Sequence, residues 1–266
     1  MTMTEEKPAA GKSAFKREEL TVGGVKVEML TAGKGEPLMF WHGAGTLGGW
    51  DWALPWAANH KVMIPYHPGW GGSGDDPTIS SMQDFVMHYL ELFDQLKLNK
   101  VDLVGLSMGG WLAAAFASQH SHRLRKLVLV APAGLKVPEA PTLDFFKVKP
   151  EETLGYLMEN IQPMLPYLPK DPEDIDFILE RFREATSFAR VAWERPFDPK
   201  LGRWLHRISV PTLLVWGEQD KVVPFAQAKA WAKLIPGAKI ASFKGAGHLV
   251  LNEKPESVEA IAKFLA

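Results

Sequence analysis

The sequence predicts an α/β fold: a mostly parallel, eight-stranded sheet with helices on both faces and a helical cap inserted into it. Three observations predict this. Eight short β-rich runs are present, and several are continuously apolar, as strands buried on both faces must be. Most of the later runs are followed by a helix-period segment, the alternation that builds parallel crossovers. Residues 135–205 break the alternation with many prolines and no convincing strand.

Residues 1–18 are polar, lack the apolar stretch of a signal peptide and are expected to form a flexible tail. "LTVGGVKVEMLTAG" (20–33) predicts two strands joined at Gly23-Gly24. "PLMFWHG" (37–43) predicts a buried strand, and "KVMIPYHPGWGGSG" (61–74) a strand that breaks into a glycine-rich loop. Residues 81–96 carry Phe85, Met87, Leu90, Leu92 and Phe93 near helical spacing, with Ser80 or Ser81 placed to cap. "KVDLVGL" (100–106) and "RKLVLVAP" (125–132) are further strands, the first followed by the helix "WLAAAFASQH". Residues 171–193 predict a helix that turns Ile175, Ile178, Phe182, Ala185 and Ala189 to one face. "VPTLLVWG" (210–217), "AKIASFKG" (238–245) and a terminal helix complete the chain. The expected division is a tail (1–18), a core domain (19–134 and 206–266) and a helical cap (135–205).

Composition narrows the function. The 266 residues are 46% hydrophobic and 23% charged, with a net charge of −1. No strong field draws such a chain to nucleic acid or an anionic membrane. No run is long and apolar enough to span a bilayer. With no cysteine there is no disulfide, thiolate nucleophile or thiolate metal site. The expectation is a cytoplasmic protein that acts on a small molecule with neither metal nor cofactor; its oligomeric state is left open.

Ser107 stands among Gly105, Gly109 and Gly110 where a strand turns at once into a helix. Such a corner forces its residue into a sparsely populated conformation, and the neighbours two positions away must be small. It lifts the serine oxygen clear of the sheet and aims the first free N–H groups of the helix at the same point. A glycine-rich turn with an idle serine is the plain alternative. A catalytic serine needs a base, and the base needs an acid. His248 lies on the glycine-rich loop after the last strand. Asp220 follows the strand before it, with Glu218 as its rival. Both loops open at the carboxyl edge of the sheet, where ligands of α/β folds sit. His42 and His67 have loop-holding hydrogen bonds as their simplest roles. The remaining histidines, His60, His88, His120, His122 and His206, are expected to face solvent.

The chain order Ser107, Asp220, His248 matches the order of α/β-hydrolases, which the chain resembles from about residue 20 to 266. "HGAG" (42–45) is similar to the family's oxyanion motif and "GLSMGG" (105–110) to its nucleophile elbow. "WGEQDKVVP" (216–224) resembles its acid loop and "GAGH" (245–248) its histidine loop. The resemblance implies an oxyanion hole built from the Ala44 and Met108 amides. The space above Ser107 is expected to be apolar, with Trp50 and Met108 as substrate-binding candidates.

A serine at the elbow excludes the branches with an aspartate nucleophile, such as haloalkane dehalogenases and epoxide hydrolases. Carbon–carbon bond hydrolases of aromatic degradation share the triad and cap, but commonly carry tryptophan where this chain has Leu249. Relatives also often carry aspartate where this chain has His67. A carboxylic ester hydrolase is the first reading and a carbon–carbon hydrolase of the meta-cleavage type the second. A small-molecule receptor on the same fold, with little catalysis, is the third.

Overall fold

A computed structural model of the protein describes residues 14–47 and 49–266. The first strands are β1 (Lys16–Val22), β2 (Val25–Ala32), β3 (Glu36–Trp41) and β4 (His60–Pro65). Helix α1 (Met82–Gln95), β5 (Val101–Leu106), α2 (Met108–His120) and β6 (Leu124–Val130) follow. The segment after β6 holds α3 (Thr153–Leu157) and α4 (Ile175–Ala192). The chain returns to the sheet with β7 (Thr212–Gly217), α5 (Gln227–Leu234) and β8 (Lys239–Phe243), and ends with α6 (Val250–Glu253) and α7 (Pro255–Leu265).

The sheet has eight strands in the order β1-β2-β4-β3-β5-β6-β7-β8. β1 and β2 are antiparallel, as are β2 and β4, and every later pairing is parallel. Alternate residues of each strand point to opposite faces. Met39, Trp41, Leu103, Leu127, Leu129, Leu214 and Trp216 join one core, with α1, α2 and α5. Leu38, Phe40, Val104, Val128, Val130, Leu213 and Val215 join the other, with α7. Both sheet faces are dry, which explains why the inner strands read as unbroken apolar runs.

Three expectations are corrected. β1 begins at Lys16, inside the range expected to be tail. KREELTV is an edge strand paired only to β2, and its charges face solvent as edge strands require, so they read as tail. The rest of that range, residues 1–13, lies outside the described residues. His60 and His88 are buried rather than solvated. His60 sits 3.4 Å from the buried Asp102 carboxylate, and burial lowers the His88 pKa to about 4. Finally, α4 is turned the other way. Ile175 and Phe182 are 65% and 67% exposed, while Glu184 and Ser187 of the same helix are buried.

Between β6 and β7 the only strand-like feature among the described residues is an isolated bridge, Gly134 with Phe197. The last turns of this segment bring Leu201 and Leu205 back into the core beside α2. Among the described residues no helix is long and apolar enough to cross a membrane.

Candidate active site

Ser107 joins β5 to α2 with φ 55° and ψ −115°. A non-glycine residue held there costs about 1–3 kcal/mol and persists only where its surroundings over-determine it. They do so here. The Ser107 N–H donates to the Val130 carbonyl (2.9 Å), and the Ser107 carbonyl accepts from Trp111 (2.9 Å) and Ala133 (3.0 Å). Gly109 lies against the end of β3, where a Cβ would come within 2.1 Å of the Trp41 carbonyl oxygen and 2.4 Å of that of His42. Only glycine lets α2 and β3 meet this closely. Across the gap, Gly43 passes close enough that a Cβ would sit 3.3 Å from the Ser107 Cβ.

The loop from His42 to Thr46 is held from several sides. The His42 Nδ1 lies 2.7 Å from the Gly43 carbonyl and donates to it, while its Nε2 accepts from the His67 backbone N–H (3.0 Å). Those two bonds fix one neutral tautomer. The His67 Nε2 donates to the His42 carbonyl (2.9 Å), leaving Nδ1 to accept from the Tyr89 hydroxyl (2.5 Å). Burial lowers the His42 pKa to about 3 and drives that of His67 in the same direction. Because the Gly43 carbonyl turns toward His42, the trans peptide directs the Ala44 N–H the opposite way. The Trp70 indole donates to the Ala44 carbonyl (2.7 Å). Glu184 of α4 binds the Thr46 hydroxyl and accepts from its N–H at 3.3 Å. Burial is the main cause that raises the Glu184 pKa.

Asp220 and His248 are brought together: His248 Nδ1 lies 2.8 Å from Asp220 Oδ2, with both side chains buried. The other oxygen of Asp220 accepts from the Val222 and Val223 amides, at 2.8 Å each. Glu218, the rival acid, accepts instead from Ser242 at an exposed position. The Ser107 hydroxyl has no hydrogen-bond partner among the described residues.

Ser107 opens into a cavity of about 30 Å³, lined also by Ala44, Met108, Trp111, Phe146, Phe188 and Val222. Met108 contributes the first of the N–H groups that α2 leaves without a helical partner. Phe146 and Phe188 stack with centroids 5.4 Å apart at 23°. No charged residue is among the lining. Trp50 does not reach this space. Its indole donates to the Tyr66 hydroxyl (2.9 Å) and packs on Phe40 in the opposite core, because the loop that carries it folds back over β3 and β4. The sequence also gave no sign of Glu184 or Tyr89 as supports of the loop. Each is an ordinary helix position until the fold sets it beside Thr46 or His67. Among the described residues no cluster of His, Asp and Glu could hold a metal.

Residues 38–261 match the alpha/beta hydrolase family. The chain is 30% identical to the 2-hydroxy-6-oxo-6-(2'-aminophenyl)hexa-2,4-dienoic acid hydrolase of Metapseudomonas resinovorans, across 96% of this chain and 92% of that one. It is 29% identical to the monoacylglycerol lipase ABHD6 of Homo sapiens, across 77% of this chain and 66% of the lipase. Among solved structures, a serine hydrolase involved in carbazole degradation (the CarC enzyme) superposes with a TM-score of 0.75 at 26% identity. That match covers 95% of this chain and 99% of the other.

Proposed function

The chain belongs to the alpha/beta hydrolase family, and from that premise we infer that it is a serine hydrolase that cleaves an uncharged, apolar carboxylic ester through an acyl-enzyme. One observation carries the reading: the strained Ser107 opens into an apolar cavity that also contains Ala44 and Met108. In this reading residues 135–205 are the cap, and Phe146 and Phe188 are the part of it that an acyl group must push aside.

The chemistry follows from the hydrogen bonds. Asp220 Oδ2, as a carboxylate oxygen, only accepts, so the His248 proton resides on Nδ1 and the Nε2 lone pair is free. On substrate binding, Nε2 takes the Ser107 proton as Oγ attacks the carbonyl carbon; catalytic contacts of this kind are commonly loose before substrate arrives. The Ala44 and Met108 amides receive the developing oxyanion, and each such donor is worth about 10²–10³ in rate. The imidazolium then protonates the departing alcohol. A water molecule, deprotonated by Nε2, releases the acid and restores Ser107.

A second reading is carbon–carbon cleavage, supported by the relative that hydrolyses an aminophenyl-substituted oxo-dienoic acid. That class of substrate carries a carboxylate. Arg181 is the nearby cation, 3.3 Å from the Thr46 hydroxyl, but Glu184 (2.8 Å) and Glu180 (3.3 Å) already occupy it. The ester therefore comes first.

Ser107→Ala is expected to lower p-nitrophenyl acetate turnover by at least about 10³-fold with unchanged circular dichroism. Retained turnover would overturn the assignment of the nucleophile. Turnover of 2-hydroxy-6-oxo-6-phenylhexa-2,4-dienoate by the wild-type chain, without turnover of esters, would put the second reading first.

A further inference from the structure

Glu253 closes α6, a short way beyond His248. A carboxylate at a helix C-terminus gains nothing from the helix dipole, which favours cations there. Its partners lie outside the helix instead. Oε2 accepts from the Gly247 N–H (2.7 Å). Oε1 accepts from the N–H groups of Glu159 (2.9 Å) and Asn160 (2.8 Å), in the turn that follows α3. One carboxylate therefore clamps the loop before His248 to the segment between β6 and β7. Hydrogen bonds to an ionised acceptor are about twice as strong as neutral ones.

The same turn holds the loop beyond His248 as well. The Leu249 N–H donates to the Leu157 carbonyl (3.0 Å). A Cβ on Gly247 would come within 2.9 Å of that carbonyl oxygen and 3.1 Å of the Met158 Cα, so loop and turn are in close contact. The acid loop is tied to the same place. Lys221, next to Asp220, donates to the Gly155 carbonyl (3.3 Å) and pairs with Glu159 (2.6 Å). Because peptides are planar, pinning the N–H on each side of His248 fixes the direction in which its side chain leaves the backbone. That direction decides whether Nδ1 meets Asp220 at 2.8 Å, and where Nε2 points. On the histidine loop the Leu249 tie is backbone to backbone, whereas the Gly247 tie depends on the Glu253 side chain.

We propose that Glu253 is a positioning residue for His248: it clamps the histidine loop to the turn after α3 and so sets how the imidazole lies between Asp220 and Ser107. The proposal rests on His248 as the base of an ester hydrolase. In Glu253→Ala, kcat for p-nitrophenyl acetate is expected to fall about 10- to 100-fold with KM within about threefold and unchanged circular dichroism, since misplacing a reacting group by about 1 Å costs rate on that scale. Glu253→Gln keeps one acceptor oxygen and should recover part of the loss. A readout free of substrate is the low-field proton resonance of the His248 Nδ1–H, assigned by its absence from His248→Ala. It should be sharp in the wild type and broadened or lost in Glu253→Ala. Unchanged kcat, a loss confined to KM, or a slowed variant with an unaltered resonance overturns the proposal. So does wild-type kcat in Glu253→Gln beside a Glu253→Ala that does not fold, which would leave Glu253 a purely structural role. If His248→Ala turns over the ester as fast as the wild type, the hydrolase reading fails and the positioning role falls with it. If His248→Ala is inactive and Glu253→Ala is unimpaired, only the clamp is wrong.

Discussion

The turn from β5 into α2 and the helix α4 lie on opposite sides of one small cavity, and the sequence described them unequally well. The turn is specified by backbone geometry. Gly105 and Gly109 are small because carbonyl groups pass within 2.4 Å of where their Cβ atoms would sit. That constraint is local and leaves a readable pattern. α4 is specified by its neighbours. Its apolar stripe was legible, but the direction of the stripe was not, since periodicity reports that a face exists and not what it faces. The loops below α4 present carbonyls, amides and a hydroxyl at Gly69, Gly71 and Thr46, and polar side chains of α4 satisfy them. Unmet polar groups decide the orientation, because an orphaned buried donor or acceptor costs about 1–3 kcal/mol.

The contrast predicts its own largest test. Gly109→Ala adds a single methyl group, but two backbone oxygens of β3 and its loop stand in the way. Neither can move without parting α2 from the sheet. The variant is expected to lose about 3 kcal/mol or more, read by urea unfolding. A loss below about 1 kcal/mol would mean that the close approach of α2 and β3 does not hold the turn in place.

The next effect belongs to the histidine pair beneath the loop. His42 has a folded-state pKa of about 3, against an ordinary value near 6.5. Above pH 6.5 both folded and unfolded chains hold it neutral, and it adds no pH dependence. Between 6.5 and 3 the unfolded chain takes up a proton that the folded chain refuses, so stability falls as the solution becomes more acidic. The slope is about 1.4 kcal/mol per pH unit for one such group. His67 and His88 are depressed in the same direction by burial, and add to it. Unfolding free energies at pH 7, 6 and 5 should fall by more than one proton's worth per unit at the acid end. A flat profile would mean that the pair is protonated or open in solution.

The placement of the candidate site residues was legible for the same reason as the turn. Ser107, Asp220 and His248 each follow a strand at the carboxyl edge, and a strand is short enough for its end to be read from composition. Parallel pairing then sets those ends along one edge of the sheet, with β6 between β5 and β7. The Asp220–His248 contact at 2.8 Å joins residues 28 apart in the chain. Trp50 failed because it lies in a loop: nearness to "HGAG" in sequence suggested the cavity, but a 3-10 segment over Asp51–Ala58 carries the indole into the opposite core. His60 and His88 failed because polar neighbours in sequence do not expose a residue whose own face is covered. His88 sits on the buried side of α1, and His60 opens β4 beside Asp102.

The smallest effects belong to α4, and they reverse the usual hierarchy of a helix. In most helices an apolar-to-alanine change on the stripe costs several kcal/mol and a glutamate-to-alanine change almost nothing. Phe182 is two-thirds exposed, so Phe182→Ala, measured on dilute protein, should shift the unfolding free energy by no more than about 0.5 kcal/mol. Glu184→Ala leaves the Thr46 N–H and hydroxyl without their acceptor and Arg181 without its nearest carboxylate. It should cost about 1–3 kcal/mol. Because Thr46 lies two residues beyond Ala44, the same change should lower ester turnover while Phe182→Ala leaves it alone. Equal and small losses from both would mean that α4 rests only loosely on the loop. A large loss from Phe182→Ala alone would mean that the stripe is buried within the chain, and that the helix had been read correctly from its sequence.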